Sequence, residues 1–230
     1  MMVDIDPAVT SSPNRAGARR GQRWPLALCV VLLVAAAGVL LGLRLDSDSS
    51  TAPADDSAAA GFARDMQTHH AQAVEMSMII RDRTQDPEIR TLAYDIALGQ
   101  QHQIGQMFAW LQLWDLPQTG EGPRMAWAAA AHPGSGGDDG SGTTAMDHAM
   151  PGMVPAADVQ KLATLRGRQA EAWFLNRMIE HHRGGVAMAE AALTFELPDD
   201  VRRLAETIVK AQSAEIEALD ALLAQRTGTR

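Results

Sequence analysis

The side chains of this sequence that could do chemistry fall in a pattern that occurs twice. Phe62-x3-Met66-x2-His69-His70-x3-Val74-x-Met76 returns as Phe174-x3-Met178-x2-His181-His182-x3-Val186-x-Met188. Imidazole and thioether are both metal donors, and together they suit a soft ion such as Cu(I). Cu(II) would accept the histidines with a carboxylate. A third group, Met146, His148, Met150 and Met153, lies between the two copies. Other metals fit less well. Glu-x-x-His, the paired motif of di-iron carboxylate sites, occurs nowhere. A single cysteine, Cys29, excludes thiolate-rich zinc or iron–sulfur sites and any internal disulfide. Nothing resembles a nucleophile–base pair, a phosphate loop or a catalytic carboxylate pair, so no enzyme is predicted.

These residues must be positioned by helices. Ala, Leu, Met and Gln are plentiful, aromatic residues make up 4% and β-branched runs are scarce, which predicts an all-α chain. The repeat continues beyond the histidines without a gap. Ile89, Leu92, Ala93, Ile96 and Gln100 match Val201, Leu204, Ala205, Ile208 and Gln212. Each half reads as a helical hairpin. Asp56 or Ser57 caps a first helix running to about Arg83; Asp86-Pro87-Glu88 caps and starts a second that ends before Pro117. The second half repeats this from about Arg168 to Phe195, with a restart near Pro198. Two hairpins joined by a long crossover predict an antiparallel four-helix bundle of the ferritin-like kind. The crossover, residues 117–155, is rich in Gly, Pro, Ser and Asp and predicts at most one helical turn, at Ala126–Ala131. Its Met/His stretch is expected to be exposed and to act as an adaptable ligand arm.

At 100° per residue, His69 falls within about 40° of Phe62, Met66 and Met76, inside the apolar stripe, and His70 flanks it. His181 and His182 repeat the arrangement. Ala73 and Gly185, one turn on, leave room for a close neighbour or an ion. On the second helices Gln103 and Glu215 occupy equivalent core-facing positions beside Met107 and Leu219, and a buried carboxylate needs a partner. The pairs His69–Gln103 and His181–Glu215 are therefore expected, whether as metal site or as purely structural hydrogen bonds.

The 230 residues carry a net charge of −8, which argues against a nucleic-acid partner. From Leu26 to Leu43 the chain is uninterrupted apolar or small, about enough to span a bilayer. Arg15, Arg19, Arg20 and Arg23 precede this run, and acidic residues dominate after Arg44. The positive-inside rule predicts a single-pass anchor with the N-terminus in the cytoplasm. Cleavage at Ala52-Pro53-Ala54 is the competing reading and would release a secreted protein; an apolar run this long, with proline in the cleavage site, favours the anchor. The expected organisation is a cytoplasmic segment (1–23), an anchor (24–45), a linker (46–56) and a bundle (57–227). Within the bundle, halves 57–116 and 156–227 flank the crossover.

The doubled F-x3-M-x2-H-H-x3-V-x-M pattern, the L-A-x2-I-x3-Q helix and the M-P-G-M crossover resemble the domain-of-unknown-function 305 family over about residues 57–225. The resemblance implies a ferritin-like, extracytoplasmic bacterial protein, with some relatives implicated in periplasmic copper binding. Carried onto this chain, the motif positions are Met66, His69, His70, Met76, Met178, His181, His182 and Met188. The family's Asp before each motif Phe is replaced here by Ala59 and Glu171, and its Gln-x2-Glu by Gln100-x2-Gln103 in the first half. The half with Glu171 and Glu215 is then the better metal site. Copper sequestration or transfer is the expected function. The alternatives are an envelope bundle with structural core histidines, binding another envelope protein or its own copies, and an iron or manganese oxidase.

Overall fold

The computed structural model describes residues 52–129 and 150–227. Within them the chain is all-helical: α1 (Ala58–Arg83), α2 (Pro87–Leu113), α3 (Ala126–Ala129), α4 (Ala156–Thr164), α5 (Gly167–Leu193) and α6 (Asp199–Thr227). The predicted caps form. Ser57 accepts from the Ala60 amide at 3.2 Å, and Asp86 accepts from the Glu88 and Ile89 amides at 3.0 and 3.1 Å, with Pro87 at the first helical position. Tight connections at residues 84–86 and 194–198 fold α1 against α2 and α5 against α6. The two hairpins then pack through α1 and α5.

This packing divides the apolar interior in two. One cluster joins the start of α1 (Phe62, Met66) and the end of α2 (Met107, Leu111) to the end of α5 (Met188) and the start of α6 (Val201, Ile208). The other reverses these roles, joining Met76, Ile80, Ile89 and Ile96 to Phe174, Met178 and Leu219. Residues in register in the two halves thus sit in opposite clusters, as a pseudo-twofold between the hairpins requires. The histidines fall between.

The crossover differs from the expected loop. Its helical turn is Ala126–Ala129, held by Asp65, which accepts from the Met125 amide at 2.8 Å, Trp127 Nε1 at 2.9 Å and Arg124 at 3.1 Å. A further helix, α4, precedes α5 and buries Val159 and Leu162; its short amphipathic pattern is hidden in sequence by the surrounding polar residues. No described helix is long and apolar enough to cross a membrane. The predicted anchor at 24–45 lies outside the described residues.

Candidate metal centre

The helix register dictates where each histidine goes. His69 and His181, central on their stripes, face one another across the α1–α5 contact, and their ring centroids are 3.8 Å apart. His70 and His182 turn toward the second helix of their own hairpin. His70 Nε2 meets Gln103 Oε1 at 2.6 Å, and His182 Nε2 meets Glu215 Oε2 at 2.6 Å. The expected pairs His69–Gln103 and His181–Glu215 are thereby corrected. The flanking ring of each motif, displaced about one residue round the helix, is the one that reaches the hairpin partner. The central ring points between hairpins. All four rings are fully buried and linked in the order His70–His69–His181–His182, with outer spacings of 6.5 and 6.3 Å.

The partners fix which nitrogen is free. A carboxylate only accepts, so His182 Nε2 donates to Glu215 and leaves Nδ1 as the nitrogen without a partner. His70 donates likewise to the Gln103 oxygen, and His69 Nε2 donates to the Pro151 carbonyl at 3.0 Å. Nδ1 of His69, His70 and His182 has no partner, nor has either nitrogen of His181. Such orientation through the second nitrogen is the usual support of a metal-binding imidazole. Burial also keeps rings neutral. Desolvation pulls the His69 pKa down to about 4 and that of His70 to about 3, which the hydrogen bonds to Pro151 and Gln103 oppose only in part. His181 is held well below the ordinary value, by burial first and then by the neighbouring imidazoles. Neutral imidazole is the form that ligates.

The methionines bracket the histidine row. Met66 and Met188 lie in one apolar cluster and Met76 and Met178 in the other, all fully buried or nearly so. Among the described residues, no three His, Cys, Asp or Glu side chains are grouped to hold a metal ion. The groups that the core brings near one another are imidazoles and thioethers, and the carboxylate beside them is Glu215. Glu171, expected to strengthen the second half, lies nearly three helical turns from His181. It accepts from Thr84 Oγ1 at 2.5 Å and pairs with Arg226 at 3.3 Å. The room expected beside Gly185 is filled by Gln212: a Cβ there would stand 2.3 Å from its Oε1.

The Met-rich crossover is also corrected where it is described. Met150 is 7% exposed and packs with the first apolar cluster, and Met153 is partly buried against it. Met146 and His148 lie outside the described residues. The Met150–Val154 strap is clamped by Gln72, whose amide gives to Val154 O at 2.8 Å and takes from Val154 N at 2.7 Å. Gly152, at φ +74°, and Gly184 let this strap lie against α5 directly; a Cβ on Gly184 would be 2.0 Å from the Pro151 carbonyl. Sequence reading overlooked Gln72, and it matched Gln100 with Gln212 without placing either in the core. Gln100 and Gln212 are buried with both amide atoms unpartnered, and their recurrence in register was the available signal.

Fold and site together define a class: a duplicated helical-hairpin protein, all-helical among the described residues, whose two His-His motifs meet in its core. The chain belongs to the DUF305 family, a domain of unknown function, whose model matches residues 59–223. It is similar to a DUF305 protein of Streptomyces coelicolor classed as secreted, at 46% identity and TM-score 0.67 over 77% of this chain and 98% of that one. A DUF305 fragment from Deinococcus radiodurans is 34% identical at TM-score 0.56, covering 71% and 93%. CopM in its Cu(I)-bound form shares the fold at TM-score 0.53 and 24% identity, covering 73% and 96%. An uncharacterised protein of Acanthamoeba polyphaga mimivirus is 48% identical over 42 residues, 18% of this chain and 28% of that protein.

Proposed function

We propose that this protein binds copper as cargo, chiefly Cu(I), on the extracytoplasmic side of a bacterial membrane, for sequestration or transfer. One observation carries the reading. Two Met-x2-His-His motifs converge on a single point of the core and leave five imidazole nitrogens buried without partners. Unpaired buried polar atoms cost stability, and a bound ion would relieve that cost. Met66, His69, His70, Met76, Met178, His181, His182 and Met188 are the proposed donors, with Glu215 orienting His182; Met146, His148, Met150 and Met153 would deliver or cap the ion. CopM, known in Cu(I)-, Cu(II)- and silver-bound forms, supports the choice of metal. The Streptomyces relative, which is classed as secreted, supports the compartment. Residues 24–45 would serve as the anchor that keeps the domain there.

Competition titration of the protein against a chromophoric Cu(I) chelator tests this. Transfer of copper to the protein, lost when all four histidines become alanine, is the expected result. No transfer returns the histidines to the structural role already visible in the His70–Gln103 and His182–Glu215 bonds.

A further inference from the structure

The duplication supplies an internal control for the surface. Tyr94, Leu98, Gln101, Gly105 and Phe108 follow one another at spacings of four and three along the outward face of α2, all exposed. Their counterparts on α6 are Glu206, Lys210, Ser213, Glu217 and Asp220, exposed to the same degree class. Four of these five positions are thus charged in the second half, and all five are apolar or neutral in the first. From Ile96 to Trp114 there is no Asp, Glu, Lys or Arg at all. Tyr94, Leu98 and Phe108 are 45%, 52% and 47% exposed, and Leu113 at the helix end is 80% exposed. A solvated outer face has no need of such residues, and contiguous exposed apolar surface marks an interaction site.

We propose that this face of α2 is a homodimer interface, packed antiparallel against the same face of a second copy. Charge selects the occupant. The 185 residues after position 45 carry a net −11, so copies repel one another except where charge is missing. A partner of opposite sign would call for acidic residues along this face, and an anionic membrane for Lys or Arg along it; from Leu98 to Phe108 it has neither, and Arg81 and Arg90 stand only at the Tyr94 end. Gln101, at its centre, is exposed and carries an amide that both donates and accepts, so it can pair with the identical group of a second copy. A two-fold contact demands that self-complementarity. Shape agrees. In an antiparallel pair centred on Gln101, Leu98 falls within one residue of Gly105 of the second copy, where nothing lies within 4 Å of a Cβ, and Tyr94 falls opposite Phe108. Arg81, over the Tyr94 ring at 4.9 Å, bounds the stripe at one end. A helix face about 27 Å long and about 12 Å wide buries less than the roughly 800 Å² per partner of a standard interface, so the dimer is weak and concentration-dependent.

The test uses the purified full chain with Cys29→Ala, in mild detergent and treated with a short bismaleimide. Gln101→Cys should yield mostly crosslinked dimer, whereas Ser213→Cys, the equivalent site on α6, should stay at background. Leu98→Lys with Phe108→Asp, which copies the α6 residues onto α2, should cut the Gln101→Cys crosslink at least tenfold while leaving the helical circular dichroism unchanged. Equal crosslinking at 101 and 213, no crosslink at 101, or a crosslink indifferent to L98K/F108D would each overturn the proposal. The last outcome would place dimerisation elsewhere in the chain, and the second would leave the face to another protein.

Discussion

Each histidine in the core is told apart from its neighbour by a single hydrogen bond. Because His69 and His70 protonate near 4 and 3 in the folded protein and near 6.5 when unfolded, the unfolded chain holds the extra protons between those values. Metal-free protein should therefore lose stability as pH falls from about 6.5, at up to about 1.4 kcal/mol per pH unit for each ring, with these contributions spent below about pH 3. Urea unfolding from pH 7 to 4 measures this; a flat profile would contradict the burial argument. Glu215 distinguishes the partner of His182 from that of His70, standing where the first half has Gln103. Glu215→Gln should weaken copper binding about 10- to 100-fold through His182, as loss of an orienting partner does, and Gln103→Glu should strengthen it. Chelator competition on the two variants decides the matter, and equal affinities would remove Glu215 from the site. The wheel positions of His69 and His181 were legible in sequence. Their partners were not, because a 100° step separates adjacent residues and only the packed helices reveal which hairpin each ring meets.

At the level of elements, the strap from Met150 to Val154 is the part that composition concealed. Its Pro and Gly read as loop, yet it is fixed by the Gln72 clamp, the His69–Pro151 bond and a close approach to α5 at Gly184. Gly184→Ala pushes a methyl into the Pro151 carbonyl and should cost about 1–3 kcal/mol. It should also free the strap, which hydrogen exchange at the Val154 amide would report as faster exchange. Unchanged exchange would mean that the strap tolerates displacement. The four long helices lie within a few residues of the limits that their caps predicted, since Ser57, Asp86 and Pro87 act locally and need no tertiary information. The short helix α4 and the docking of Trp127 on Asp65 depend on long-range contacts and so escaped a reading based on local pattern.

For the whole molecule, a ligand that binds only the folded state must raise its stability. Cu(I) or Ag(I) should raise the unfolding temperature of the protein, and should do so much less in the variant lacking all four histidines; calorimetry with and without metal is the measurement. The arrangement of the two apolar clusters has another consequence. Each is made half from residues before the crossover and half from residues after it, so neither hairpin owns a core. A chain ending at residue 116 would expose both of its half-cores and could fold only by enclosing them against another hairpin. Two such chains would bring their His69 rings together on a true symmetry axis. The present protein can be read as such a pair written into one polypeptide, where one half is free to differ from the other: the first has Gln103 and an outer face free of charge from Leu98 to Phe108, the second Glu215 and charge.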